Sequence, residues 1–208
     1  MIGLETLLVF VPIALALNIT PGADMLFCLG QGAKSGARAG VVAALGIATG
    51  SFIHAVVAGL GLAAFLGAFP LAFEIVRWAG VAYLIFLAIQ TLRSPSNIAA
   101  QHPTESESLQ KIWREGTLVC LLNPKVAIFM LALVPQFVDP TQGSVFVQFL
   151  VLGTILNIGG TLICGLVGIF AGRVGQYLAK NASAAAALQY LSSLIFVGLA
   201  FKLATDRR

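Results

Sequence analysis

The chain has 208 residues, of which 59% are hydrophobic and only 10% are charged, and its net charge is +4. An ordinary soluble domain carries about 25% charged residues, so this composition excludes that class and indicates an integral membrane protein. The basic residues are spread singly along the chain, which argues against a nucleic-acid-binding surface.

Six apolar runs follow one another along the chain, at 4–28, 39–68, 71–92, 116–138, 144–172 and 186–204. Each is long enough for a membrane-spanning helix. The runs are continuous rather than alternating, which favours helices over the strands of a barrel. No Lys or Arg precedes the first run, which argues against a cleaved signal peptide. We expect an all-α integral membrane protein with six transmembrane helices in one domain, residues 1–208.

The connections between the runs differ in charge. The odd connections carry the basic pairs Lys34 and Arg38, Lys111 and Arg114, and Arg173 and Lys180. The even connections are poor in Lys and Arg. The positive-inside rule therefore predicts cytoplasmic odd connections and both termini on the outer side. The tail residues Lys202, Arg207 and Arg208 argue for the opposite orientation.

The third connection is the one long polar stretch and predicts a linker over about 94–112, with His102 as a solvated loop residue. It divides the chain into repeats of about 1–93 and 113–208. Leu17-Asn18 recurs as Leu122-Asn123, Leu45-Gly46 as Leu152-Gly153, and Leu84-Ile85-Phe86 as Leu194-Ile195-Phe196, in the same order. Because three spans are an odd number, the second copy enters the membrane inverted, a plan that recurs in secondary transporters. A duplication kept only for packing is the alternative.

Two helix breaks lie inside apolar runs, at Asn18–Asp24 and at Asn123–Lys125. Pro21 and Pro124 each interrupt a helix. Thr20 and Asn123 fit an N-cap followed by proline at the first helical position, and Gly22 adds backbone freedom. Each break would present a half-helix N-terminus inside the membrane, which suits a carboxylate ligand. A proline kink healed by neighbouring helices is the alternative.

The two breaks carry opposite charges. Asp24 could simply cap its half-helix. Lys125 is harder to explain, since burying a cation costs at least about 2.5 to 3.5 kcal/mol on insertion scales. Asp24 is the one acidic residue placed well inside a run. We therefore expect Asp24 and Lys125 to pair, or to lie close together in one polar cavity.

Several other residues sit in apolar runs without a clear chemical signature. Asn157 falls close to the repeat equivalent of Gly50 and joins the predicted site. His54 fits an interhelical hydrogen bond better than a proton carrier. Three scattered cysteines fit small core residues: Cys28, Cys120 and Cys164. No catalytic arrangement, metal-ligand spacing or cofactor motif is found in the sequence, so neither an enzyme nor a cofactor-dependent protein is predicted.

The substrate-binding prediction comprises Asn18, Thr20, Pro21, Gly22, Asp24, Asn123, Pro124, Lys125 and Asn157. Asp24 is also the candidate for proton coupling, since the site needs an acidic group and no other lies well inside a run.

These residues resemble the LysE/RhtB family of amino-acid exporters, the homoserine/threonine/lysine exporter type, over the whole chain. The similar segments are Asn18–Asp24, Gly32–Gly50, Trp78–Leu84, Leu122–Lys125 and Leu133–Phe137. Ala23 stands where the family usually has proline. The resemblance implies proton-driven export of amino acids or related small metabolites across a bacterial inner membrane. In that membrane, the outer side predicted for both termini by the positive-inside rule is the periplasm. The implied partners are a small-molecule substrate, protons and the lipid bilayer.

Other functions stay open from the sequence. A polar-solute or ion channel would need a continuous polar lining, whereas these runs offer isolated polar positions. Export of a small molecule or ion other than an amino acid is a further alternative. The sequence leaves the substrate unassigned, and it is compatible with a monomer or a homo-oligomer.

Overall fold

A computed structural model describes residues 2–65, 70–93 and 108–205, and these residues are helical with short connections. The α-helices are α1 Leu4–Ile19, α2 Ala23–Ser35, α3 Ala37–Phe65, α4 Pro70–Arg93, α5 Leu109–Leu121, α6 Pro124–Ile128, α7 Val145–Ile169, α8 Ala171–Lys180 and α9 Ala182–Thr205. A π-helical turn, Phe129–Leu133, and two 3-10 turns, Val134–Phe137 and Pro140–Gln142, lie between α6 and α7.

Two sequence predictions fall partly or wholly outside the described residues. His102 and most of the predicted linker lie there, as do the tail residues Arg207 and Arg208. The end of the linker was misplaced, because α5 begins at Leu109 and Ile112 is fully buried. Ser108 caps this helix by accepting a hydrogen bond from the Lys111 amide at 3.3 Å. The charged residues of its outer face hide the start of this helix from an apolar-run search.

The described residues form a multi-pass membrane protein. Three helices, α3, α7 and α9, are each long and apolar enough to cross a membrane. Two bent pairs also qualify when each is taken as one span: α1 with α2, bent by 51°, and α5 with Pro124–Phe137, bent by 50°. The described part of the chain therefore holds three to five candidate spans.

The first break differs from the prediction. Thr20 does not cap α2. It ends α1, and its hydroxyl donates to the Ala16 carbonyl at 2.8 Å. Gly22 is the N-cap of α2, with an extended backbone at φ −163° that any residue can adopt. The break is therefore three residues long and makes no use of glycine's conformational freedom.

The second break forms as predicted. The Asn123 side chain accepts a hydrogen bond from the Lys125 amide at 3.0 Å, and Pro124 occupies the first turn of α6. This arrangement places Lys125 in the first turn of a half-helix, as Asp24 is in the first turn of α2.

Bare backbone contacts hold the central helices together. The longest helix, α3, packs on α2, α5 and α7, while α4 packs on α9. A Cβ at Gly40 would lie 2.6 Å from the Gly168 backbone of α7, and a Cβ at Gly46 would collide with the backbone of Trp113 in α5. Small residues permit this close approach of membrane helices.

We expect Gly46→Ala to destabilise the protein because the added methyl group meets backbone rather than a movable side chain. Overpacking of this kind costs about 1 to 3 kcal/mol, which corresponds to a fall in melting temperature of about 2 to 12 °C. Thermal unfolding in detergent measures it. Gly61→Ala in the same helix is the control, since no atom lies within 4 Å of its added Cβ. Equal melting temperatures for the two variants would contradict the close contact.

Candidate functional site

A small polar cavity lies between the two helix breaks and the middle of α3 and α7. Its volume is about 50 Å³. Most of the predicted site residues line it, namely Asn18, Thr20, Gly22, Asp24, Asn123, Lys125 and Asn157. Pro21 instead lines a separate apolar groove of about 480 Å³, and Pro124 is not among the lining residues of either cavity.

The Lys125 ammonium group binds the end of the other broken helix. Its Nζ donates to the carbonyl oxygens of Leu17 at 3.1 Å and Thr20 at 2.8 Å. Leu17 lies four residues before Pro21, and proline has no N–H to offer the carbonyl one turn earlier. The last carbonyls of a helix also form the negative end of its dipole. The break in the first span thus supplies the acceptors that the cation of the second span requires.

These hydrogen bonds are strong enough to keep a cation at this depth. Hydrogen bonds to charged groups contribute about 1.5 to 3 kcal/mol each, so two of them match or exceed the insertion cost of about 2.5 to 3.5 kcal/mol. The Nζ atom also lies 5.6 Å from the centre of the Phe196 ring, within the range of a cation–π contact. Lys125 is therefore stabilised without a direct anionic partner.

Asp24 and Lys125 do not form a salt bridge. Asp24 Oδ1 accepts a hydrogen bond from Asn123 Nδ2 at 2.9 Å, while Asn123 Oδ1 caps the helix that carries Lys125. The predicted direct pairing is thus replaced by an asparagine that contacts both breaks. The weaker form of the prediction is correct, because both charged side chains line one polar cavity.

Amide side chains tie the breaks to the wall formed by α7. Asn18 donates to the Leu156 carbonyl at 3.0 Å, and its side chain lies over Gly159 and Gly160. Asn157 donates to the Ala48 carbonyl of α3 at 2.9 Å. These bonds cross between helices, so the cavity wall is fixed by long-range contacts.

The structure adds lining residues that the sequence prediction omitted: Ser51, Thr161 and Cys164. Thr161 donates to Asn157 Oδ1 at 3.0 Å. Thr161 and Cys164 follow Asn157 at intervals of four and three residues, which places all three on one face of α7. This spacing could have predicted both residues from the sequence. Cys164 had been predicted as a plain core residue.

The other predictions for polar residues agree with the structure. His54 Nε2 lies 3.2 Å from the Cys120 carbonyl, an interhelical contact. Cys28 and Cys120 are fully buried. Within the described ranges, no cluster of three or more His, Cys, Asp or Glu side chains could hold a metal ion.

The chemistry of the cavity suits a ligand that carries both charges. It presents three asparagine amides, a carboxylate at the first break and an ammonium group at the second. Ligand pockets typically measure about 300 to 1,000 Å³, so a cavity of about 50 Å³ has to enlarge before it could take an amino acid.

A multi-pass membrane protein with interrupted helices around a charged cavity has the plan of a solute translocator. Comparison with known proteins agrees with this class. The chain belongs to the LysE type translocator family, which it matches over residues 15–207.

Named relatives are similar at moderate identity. The chain is 31% identical over 195 residues to an uncharacterized membrane protein of Vibrio cholerae, covering 93% of this chain and 94% of that protein. It is 36% identical over 137 residues to a homoserine/homoserine lactone efflux protein of Salmonella typhimurium, covering 66% of each chain. No solved structure gives a significant match.

We expect Cys164 to be the most reactive of the three buried cysteines toward a small polar thiol reagent, because it alone among them lines the polar cavity. Mass spectrometry of the labelled protein in detergent measures this. Cys164→Ser should remove most of the labelling, whereas Cys120→Ser should leave it. Preferential labelling of Cys120 would show that water does not reach the cavity.

Proposed function

We propose that the protein is a secondary active exporter of amino acids or related small metabolites across the bacterial inner membrane. The observation that carries this proposal is the cavity between two broken spans, with an ammonium group and a carboxylate in its wall. A zwitterionic amino acid presents the complementary pair of charges. The similar protein of Salmonella typhimurium is named as a homoserine/homoserine lactone efflux protein, which supports export of a small polar metabolite.

In this proposal the substrate carboxylate binds near Lys125 and the N-terminus of α2. An ammonium group has three N–H donors. Two of those of Lys125 bond to the Leu17 and Thr20 carbonyls, and in this proposal the third bonds to the substrate carboxylate. The substrate amine binds Asp24 and the side-chain oxygens of the asparagines. Thr20, Gly22 and Asn157 complete the wall, while Pro21 and Pro124 act indirectly by breaking the helices.

We further propose that the spans form two inverted repeats that move by alternating access. The two bends, 51° and 50°, are nearly equal, and the charged residue follows each break in the first turn. The helix pairing also fits a two-fold relation. The middle helices of the two repeats, α3 and α7, pack on each other, and so do the last helices, α4 and α9. In the same way, α3 packs on α5 of the other repeat, and α7 packs on α1 and α2.

The complete topology follows from that symmetry. The helix α4 has 24 residues and would be the third span in chain order. It would bring the number of spans to six and would be the partner of α9. The repeats would then cover about 1–93 and 113–208 of a single transport domain, with both termini in the periplasm by the positive-inside rule.

Proton coupling is assigned to Asp24 in this scheme. Its carboxylate holds one neutral hydrogen-bond partner, Asn123, rather than a fixed cation. A proton and the substrate amine can therefore compete for it as access alternates. Substrate binding would require the deprotonated form, and proton binding would favour release.

We expect cells that overproduce the protein to tolerate, and to release into the medium, the amino acid that it exports. Lys125→Gln should lower this export by at least about tenfold, since a lost charged hydrogen bond of about 1.5 to 3 kcal/mol corresponds to roughly that factor or more. Lys180→Gln on the exposed end of α8 is the matched control. Unchanged tolerance to every amino acid tested would contradict the proposal, and linear uptake without saturable counterflow would indicate a channel.

Exchange of the two charges, Asp24→Lys with Lys125→Asp, should be as inactive as Lys125→Gln. The exchanged carboxylate would face the Leu17 and Thr20 carbonyls, which are acceptors and repel it. Export by the double variant, measured in the same cells, would instead show that a direct ion pair explains both residues.

Asp24→Asn should abolish the dependence of export on the proton gradient, because an amide at this position cannot take up and release the proton. Counterflow in vesicles, with and without an imposed pH gradient, measures this. Glu115→Gln, which removes a carboxylate on α5 at the surface, should keep the wild-type dependence. Full proton-driven export by Asp24→Asn would place the coupling elsewhere.

A further inference from the structure

One face of α2 carries a row of polar and small side chains that leads away from the cavity. Asp24, Cys28, Gln31 and Ser35 follow at intervals of four, three and four residues, so they lie within about 60° of one another around the helix. Asp24 lines the cavity and Ser35 ends the helix. At 1.5 Å per residue the row extends about 17 Å, close to half of a hydrocarbon core of about 30 Å.

Two polar atoms in this row are buried without a hydrogen-bond partner. The Gln31 side chain is 9% exposed, and its Oε1 atom has no partner. The Ser35 Oγ atom, one turn further, is also buried and unpartnered. Such groups are few in native structures because each loses its hydrogen bonds to water. Their occurrence one turn apart on one face calls for a functional explanation.

The helices that pack beside this row meet it with small groups. Cys28 of α2 is fully buried. A Cβ at Gly32 would lie 2.8 Å from the Ala171 side chain, and Gly40 of α3 touches Gly168 of α7 through backbone atoms. At Gly32, Gly40 and Gly168 the helices α2, α3 and α7 meet through backbone atoms, so a small shift of α2 would part them there.

The corresponding half-span after Lys125 has a different character. Its buried residues are apolar and most of them are large: Phe129, Met130, Ala132, Leu133, Val134 and Pro135. At the position that corresponds to Ser35, Gln136 is half-buried and donates to the Ala132 carbonyl at 3.3 Å. Of these two half-spans, only α2 holds buried polar side-chain atoms without a partner, and its row points toward the membrane face that carries Lys34 and Arg38.

We propose that this face of α2 is one wall of the path by which water and substrate pass between the central cavity and the Lys34 and Arg38 face. The path is closed in this structure by the glycine contacts. When α2 moves, Gln31 Oε1 and Ser35 Oγ bond to water or to the amine of the passing substrate. Gln31 is thus a substrate-contacting residue outside the central cavity. The proposal rests on the proposed transport function.

Cysteine accessibility tests the path without measuring transport. In a chain whose three native cysteines are replaced by Ala, we compare Gln31→Cys and Ser35→Cys with Ala33→Cys, which is exposed and on the opposite side of α2 at the same depth. A charged, membrane-impermeant thiosulfonate is added to each face of sealed vesicles in turn. Ala37→Cys, exposed at the start of α3, identifies the Lys34 and Arg38 face.

Both row variants should react at least about tenfold faster than Ala33→Cys. A thiol reacts as the thiolate and therefore needs water, and in the proposed path water reaches the row but not the opposite side of α2. They should react only from the face at which Ala37→Cys reacts. Reaction no faster than that of Ala33→Cys, or equal reaction from both faces, overturns the path. If the labelling is as expected but the protein exports no substrate, the proposed path along α2 stands and the proposed export function is wrong.

A second variant separates a path residue from a packing residue. Gln31→Leu removes the unpartnered oxygen and favours the closed form, so export should fall about tenfold while the melting temperature stays equal or rises. Gln148→Leu is the comparison, since Gln148 makes paired bonds to the Asp139 backbone and its loss should lower the melting temperature. A lower melting temperature for Gln31→Leu, with normal export per folded molecule, overturns the assignment.

Discussion

The contact between the Lys125 ammonium group and the end of α1 determines how the two broken spans meet. A cation in the first turn of its own half-helix is repelled by the dipole of that helix. The carbonyls of Leu17 and Thr20 offer the opposite dipole end from the other span. Each break therefore complements the other: one offers the carbonyl acceptors at the end of α1, and the other places a cation where acceptors are required.

The two prolines contribute to this contact in different ways. Pro21 lacks the N–H that would have continued the helical bonding to the Leu17 carbonyl. That oxygen, which accepts from the Thr20 amide at 3.2 Å, therefore also accepts from Lys125. Pro124 begins α6 directly after its cap, and so it positions Lys125. Asn123 connects the two effects, since it caps that helix and also donates to Asp24. A kink healed by neighbouring helices would explain the prolines but not this exchange of hydrogen-bond partners.

Local signals in the sequence predicted the breaks, the Asn123 cap and the residues that gather at the cavity, because each depends on a few adjacent residues. Predictions that depend on tertiary contacts were less accurate. One local prediction was also wrong, since Thr20 was expected to cap α2 but its hydroxyl bonds to the Ala16 carbonyl within α1. The start of α5 was missed because its buried side is defined by packing rather than by an apolar run. Lys125 was expected to need Asp24, since the charge pattern of a sequence does not show that backbone carbonyls of another helix accept its hydrogen bonds.

The absence of a salt bridge between Asp24 and Lys125 bears directly on how such a site could work. A direct ion pair in a poorly solvated cavity would have to break whenever a zwitterion binds, and each charge would then need a new partner. Here Lys125 keeps two backbone acceptors and Asp24 keeps an amide donor. Each charged group retains one side for a ligand while remaining stabilised by the protein. In the proposed cycle, binding and release then exchange water for substrate on the side of each charged group that the protein leaves open.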